Sequence, residues 1–212
     1  MTHIDYTLYL VTDRSVMSAK SLEQAVEQAI QGGCTVVQLR EKYASSREFF
    51  ETAQRVKQIT DSYHIPLIIN DRTDICLAVN AAGIHIGQQD LPAKIVRSMV
   101  GPDKIIGVSA ATLSEAIQAE QDGADYLGVG AMFATSTKTN TRPVTIERLT
   151  QIKQAVQISV VAIGGIQSSN AATLTKTGID GIAVVSAILA QENITHAAEQ
   201  LKTCFTGAEY EF

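Results

Sequence analysis

The sequence predicts an α/β protein folded as one (β/α)8 TIM barrel, a single domain over residues 1–212. Three observations carry that expectation. The chain has 212 residues, and α/β barrels run to about 200–250 residues as one unit. Short β-rich runs alternate with helical patterns from one end to the other. Most of those runs are continuously apolar, as strands buried on both faces of a parallel sheet are. An open doubly wound sheet would show the same alternation and is the alternative.

The expected strands lie at 7–11, 35–39, 66–69, 83–86, 104–108, 125–129, 159–163 and 181–185. Between the first two, Leu22, Ala25, Val26, Ala29 and Ile30 share one helical face, with Ser21 as its cap and Gly32-Gly33 as its stop. Phe49, Phe50, Ala53, Val56 and Ile59 repeat the pattern over 46–62. Thr112 and Glu115 have capping-box spacing and open a helix that stops at Gly123. Further helices are expected over 145–156, 169–177 and 187–203. Glycine-containing helix stops recur before the strands, at Gly32-Gly33, Gly83, Gly123 and Gly178. The longest segment without periodicity is 130–143, which is rich in threonine and motivates a lid hypothesis.

Composition narrows the function. Hydrophobic residues make up 45% and charged residues 18%, enough for a sizeable core and incompatible with intrinsic disorder. The net charge of -5 argues against nucleic acid as a partner, and 5% aromatics with no Trp leave little for base stacking. Anionic small molecules stay open, because local charge can oppose net charge. Cys34, Cys76 and Cys204 show no metal-ligand or disulfide spacing and fit a reducing compartment. No apolar run reaches the roughly 20 residues that cross a membrane, and the first five residues do not read as a signal peptide. A cytoplasmic protein is expected.

Active sites of parallel barrels sit at the carboxyl ends of the strands, so the residues there are the candidates. Gln38, Arg40 and Lys42 alternate as a strand does and would share one face. Two cations and an amide at a barrel mouth suit a diphosphate, and a solvated strand end with internal ion pairs is the plain alternative. Asp71 and Asp90 end neighbouring units. They could hold Mg²⁺ together with substrate phosphates, or each could simply cap the following helix. Thr135, Ser136, Thr137 and Lys138 could wrap an anion or form an ordinary solvated loop. Gly164-Gly165 after the seventh strand, with Val185 and Ser186 after the eighth, match the phosphate cradle common in barrels, or they are tight-turn residues. His85, within a strand, reads as a barrel-interior histidine before a catalytic one.

The phrases Val37-Gln38-Leu39-Arg40-Glu41-Lys42, Ile69-Asn70-Asp71-Arg72, His85-Ile86-Gly87-Gln88-Gln89-Asp90-Leu91-Pro92, Gly107-Val108-Ser109-Ala110, Thr135-Ser136-Thr137-Lys138 and Val161-Ala162-Ile163-Gly164-Gly165-Ile166 occur in an order that resembles the thiamine phosphate synthases over nearly the whole chain. The resemblance implies a transferase that joins hydroxymethylpyrimidine diphosphate to a thiazole phosphate, or to its carboxylated form with loss of CO₂. It implies that Gln38, Leu39, Arg40, Glu41, Lys42, Asn70, Ser109 and Lys138 bind the pyrimidine diphosphate. Asp71 and Asp90 would hold Mg²⁺, and Thr135, Ser136, Thr137, Gly165, Val185 and Ser186 would bind the thiazole phosphate. Arg40, Lys42, Ser109 and Lys138 are the implied catalytic residues, and a homodimer is the implied assembly. Ala111, Ala131, Ala134 and Asn140 fall in segments where the sequence departs from the family pattern, around the thiazole side. A thiazole tautomerase or a non-enzymatic sensor of a phosphorylated ligand are the rivals. The joint presence of Arg40, Lys42, Asp71, Asp90 and Lys138 favours the synthase over both.

Overall fold

The computed structural model describes residues 4–19, 21–135 and 142–207. Among these residues eight parallel strands close into a barrel in sequence order, each bonded to the next and the last to the first. Closure rests on the pairing of Leu8, Tyr9 and Leu10 with Ile182, Ala183 and Val184, and it excludes the open sheet. The strands are β1 (Leu8–Val11), β2 (Val36–Leu39), β3 (Leu67–Asn70), β4 (Gly83–Ile86), β5 (Ile105–Ala110), β6 (Tyr126–Val129), β7 (Ser159–Ile163) and β8 (Gly181–Val184).

The helices that wrap the barrel are α1 (Leu22–Gln31), α2 (Ser46–Ser62), α3 (Thr73–Ala78), α4 (Ala93–Val100), α5 (Leu113–Gln121), α6 (Ile146–Ala155), α7 (Ser168–Ala171), α8 (Ser186–Leu189) and α9 (Ile194–Thr206). The expected caps form: Ser21 Oγ accepts from Gln24 N–H, and Thr112 and Glu115 make a reciprocal box. Two expected helices are divided. The one over 169–177 is a single α-turn followed by a 3-10 run at Ala172–Thr177. There the hydroxyls of Thr173, Thr175 and Thr177 donate to carbonyls three residues back, competing with the regular ladder. The one over 187–203 breaks after Leu189 and restarts at Ile194, where Asn193 Oδ1 accepts from His196 N–H as a new cap. Among the described residues no helix is long and apolar enough to cross a membrane.

Alternation along the strands sorts side chains into two cores. Leu8, Leu10, Val37, Leu39, Leu67, Ile69, Ile84 and Ile86 face outward and pack under the helices. Tyr9, Val11, Val36, Ile68, Tyr126, Val161 and Ala183 fill the barrel interior. Two glycines make room for that filling. A Cβ on Gly107 would land on the Tyr126 ring, and one on Gly128 would lie 2.9 Å from the His85 ring. At the amino ends of the strands, carboxylates fasten neighbours together. Asp125 accepts from Ile106 N–H (2.7 Å) and from Arg97, and Asp180 accepts from Val160 N–H (2.7 Å) and from Lys153 (2.7 Å). This face carries stability, and the opposite face carries the candidate site.

Candidate functional site

At the carboxyl end of β2 the chain leaves the strand after Leu39, so the expected shared face extends only to Gln38. Gln38 is buried inside the barrel, where Nε2 donates to the Tyr9 hydroxyl (2.9 Å). Leu39 points the other way into the outer core and is fully buried, as alternation requires. Arg40 is set by the β1 end: its N–H donates to Thr12 Oγ1 (3.0 Å), and Nη1 donates to Asp13 Oδ2 (2.7 Å). Glu41 accepts from Arg14 Nε (2.6 Å). Lys42 is ion-paired with Asp71. Internal ion pairs are therefore present at this strand end.

Neither aspartate caps a helix. Asp71 has φ 60°, a left-handed conformation in which Asp is among the better-tolerated residues. Its carboxylate accepts from Lys42 and from Asn70 Nδ2, and α3 starts behind Arg72 with no side-chain cap. Asp90 bends back to accept from Gly87 N–H (2.7 Å), and α4 follows Pro92, again without a side-chain cap. Both carboxylates are left to the mouth. Burial pushes the Asp90 carboxyl above the ordinary carboxylate range, the charge of Asp71 adds to the push, and the Gly87 N–H and Lys42 oppose it. Glu41, Lys42, Ala44, Asn70, Asp71 and Arg72 line one open cavity.

Ser109, near the end of β5, takes a hydrogen bond between Oγ and His85 Nε2 (2.9 Å), and its carbonyl accepts from Gln88 Nε2 (2.7 Å). His85 lies in the barrel interior, with Nδ1 against the Tyr126 hydroxyl (2.9 Å). Across the mouth, the stretch after β6 is laced to β7: Met132 N–H donates to Ile163 O (3.0 Å), and Phe133 N–H donates to Gly164 O (3.0 Å). Gly165 has φ 66°, and a Cβ there would meet the backbone of Phe133 and Ala134, so only glycine fits beside this stretch. Val185 packs at the edge of the inner core, and Ser186 opens the short helix α8. Thr135 is half-buried at the end of the described stretch. Ser136, Thr137, Lys138 and Asn140 lie outside the described residues, as does the core of the expected lid.

The mouth thus gathers Arg40, Lys42, Asn70, Asp71 and Asp90 on the β2–β4 side and Gly165, Val185 and Ser186 on the β7–β8 side, with Ser109 between them in strand order. The sequence reading did not single out Tyr9 and Tyr126. The available signal was a tyrosine at an inward register position in each of two otherwise aliphatic strands. The family model for thiamine monophosphate synthase matches residues 8–188. The chain belongs to that family. It is 61% identical over 202 residues to a thiamine-phosphate synthase of Ruminiclostridium cellulolyticum, covering 95% of this chain and 96% of that one. It is 56% identical to the Clostridium beijerinckii thiamine-phosphate synthase, with 95% and 97% covered. Among solved structures it is similar to thiamine phosphate pyrophosphorylase from Pyrococcus furiosus, with a TM-score of 0.89, 39% identity and 96% of each chain covered. The family match embraces every strand and every candidate residue described above.

Proposed function

We propose that this member of the thiamine monophosphate synthase family is a thiamine phosphate synthase acting in thiamine biosynthesis. It joins 4-amino-2-methyl-5-hydroxymethylpyrimidine diphosphate to a thiazole phosphate, giving thiamine phosphate and diphosphate. The observation that carries this reading is the pairing of a cationic strand end with two uncapped carboxylates at one barrel mouth, opposite a glycine-lined backbone. That arrangement suits one substrate bearing a diphosphate and another bearing a phosphate.

The reaction breaks the bond from the pyrimidine methylene carbon to the diphosphate oxygen, and the electron-rich ring stabilises the cation left behind. The thiazole nitrogen then donates its electron pair to that carbon. A carboxylated thiazole also loses CO₂. Arg40, Lys42 and Lys138 stabilise the charge that collects on the departing diphosphate. Gln38, Asn70 and Ser109 hold the pyrimidine, with Leu39 and Glu41 on the same strand end. Thr135, Ser136, Thr137, Gly165, Val185 and Ser186 hold the thiazole phosphate. The barrel walls keep water from the cation. No residue has to act as a general base, which agrees with the absence of a triad motif from the sequence.

The donor set fits Mg²⁺. Among the described residues no group of three acidic, histidine or cysteine side chains converges, but Mg²⁺ commonly takes one or two carboxylates and completes its shell with substrate phosphates and water. Asp71 and Asp90 are the residues that would hold it: burial raises the Asp90 carboxyl first, and the charge of Asp71 stands near enough to add to that push. When bound, Mg²⁺ would neutralise diphosphate oxygens. The same reading includes a homodimer, checked by sedimentation, and a cytoplasmic location, checked by fractionation.

The test is diphosphate release with both substrates and Mg²⁺. Formation of thiamine phosphate is expected. Folded protein that yields none would overturn the synthase reading. Tight ligand binding without turnover would favour the sensor instead.

A further inference from the structure

A chain of hydrogen bonds runs through the barrel interior below the mouth and joins Gln38 on β2 to Ser109 on β5. Gln38 Nε2 donates to the Tyr9 hydroxyl (2.9 Å), and the Tyr9 and Tyr126 hydroxyls are 2.7 Å apart. The Tyr126 hydroxyl meets His85 Nδ1, and His85 Nε2 meets Ser109 Oγ, each at 2.9 Å. The rings are wedged. Gly107 and Gly128 open the space that the Tyr126 and His85 rings occupy, and Tyr6 lies against Tyr126 with centroids 4.8 Å apart.

With Gln38 Nε2 turned to Tyr9, counting protons fixes the sense of this chain. Each phenol has one proton to give, and burial keeps both phenols protonated. The Tyr9 oxygen accepts from Gln38, so its proton goes to Tyr126. Tyr126 then gives its own to His85 Nδ1, which leaves His85 with its proton on Nε2, aimed at Ser109 Oγ. Reversing a link would leave a buried phenolic proton without an acceptor in the chain, which buried polar groups avoid. At one end, Ser109 Oγ accepts from His85, so its own hydroxyl proton must go to a partner other than His85. At the other, Gln38 spends one of its two N–H groups on Tyr9, which turns Nε2 toward the relay and leaves Oε1 as the acceptor on the other side of the amide.

We propose that Tyr9, Tyr126 and His85 form a positioning relay that fixes Ser109 as a donor and Gln38 as an acceptor. The pocket thereby selects a heterocycle edge with a ring-nitrogen acceptor beside an exocyclic N–H donor. This rests on the reading that Gln38 and Ser109 hold the aminopyrimidine. An oxo-pyrimidine presents the opposite pattern, a ring N–H beside a carbonyl, and is disfavoured, because it would have to turn the Ser109 hydroxyl and the Gln38 amide to their other partners. None of the three relay residues has to touch substrate.

Two measurements on the full chain test this. The first is the ¹⁵N spectrum of the histidine side chains, with His85 identified by its loss in His85→Gln. The expected result is the tautomer with Nε2 protonated and Nδ1 bare, and the opposite tautomer overturns the relay. The second is kcat/KM for the 4-amino and 4-oxo pyrimidine diphosphates at saturating thiazole phosphate. Tyr126→Phe should shrink the preference for the amino substrate by about tenfold, through the KM of the pyrimidine with that of the thiazole phosphate unchanged. A preference that survives intact overturns the proposal. The spectrum needs only the wild-type fold and no turnover, so an inactive wild type would sink the synthase reading while leaving the relay to stand or fall on the tautomer.

Discussion

Replacing Gly165 by alanine separates two costs that the structure assigns to one position. The backbone at Gly165 has φ 66°, and a left-handed conformation costs an L-residue about 1–2 kcal/mol. The new Cβ would also lie 2.5 Å from Ala134 O and 2.8 Å from the carbonyl carbon and oxygen of Phe133. Those are backbone atoms in a stretch bonded to the end of β7, so they cannot turn aside as a side chain would. Overpacking of this kind typically costs about 1–3 kcal/mol, which brings the whole to about 2–5 kcal/mol. Gly178 supplies the control. Its φ is 74°, nearly the same, but nothing lies within 4 Å of a Cβ placed there. Gly178→Ala should therefore lose only the conformational share, about 1–2 kcal/mol. Urea unfolding of the two variants measures the difference, provided the slope against denaturant is unchanged. Steady-state kinetics should show the KM for the thiazole phosphate raised in Gly165→Ala alone. Equal stability losses at the two positions would refute the contact argument, and no loss at either would refute the backbone argument.

Three other outcomes follow from the same geometry. Because the Asp90 carboxyl titrates above its ordinary range, the folded state binds that proton more tightly than the unfolded chain, a contribution that is complete at low pH and lost as pH rises through the raised value. Asp90→Asn should therefore melt above the wild type at neutral pH without metal, the gap should close as pH falls, and Mg²⁺ should raise the melting temperature of the wild type only; a variant that melts lower at neutral pH contradicts this. Asp125→Ala strands the N–H of Ile106 and removes the counter-charge of Arg97, which keeps the carbonyls of Gly101, Lys104 and Gly123 as acceptors, and should cost about 1–3 kcal/mol in urea unfolding with kcat unchanged, since it lies on the face away from the candidate site. Burial pushes the Cys34 thiol far up and the Cys76 thiol to about 11, whereas Cys204 is only half-buried, so a thiol reagent at mildly alkaline pH should label Cys204 in the native protein and all three cysteines after unfolding.

The barrel was readable because its signals are local. Continuous aliphatic runs mark strands buried on both faces, and Ser21, Thr112 and the helix-ending glycines mark helix limits within a turn. The carbonyl-bonding threonines at 173, 175 and 177 and the cap at Asn193 were also in plain view, but an apolar period of 3.6 carried the helix pattern across them. The candidate site was legible as a set of strand-end residues and not as a network. Asp71 and Asp90 had the spacing of caps; tertiary placement diverted Asp71 to Lys42, whereas Asp90 folds back on the Gly87 N–H three residues before it. Tyr9, Tyr126 and His85 come from β1, β6 and β4, so their meeting depends on barrel closure and on the space left by Gly107 and Gly128. No pattern along the chain encodes that meeting.

Closure also orders events in time. Leu8 pairs on one side with β8, near the far end of the chain, so a chain made from its amino terminus exposes that edge of β1 until almost everything else has been synthesised. An unpaired strand edge is a template for foreign strands, and closing so long a loop is entropically slow to be rewarded. The β1 edge therefore stays uncovered until β8 has been made. A circular permutant that joins the old termini and opens the chain in an exposed helix–strand turn would have β1 and β8 as sequence neighbours from the start, and would move that vulnerable edge to another seam of the same barrel.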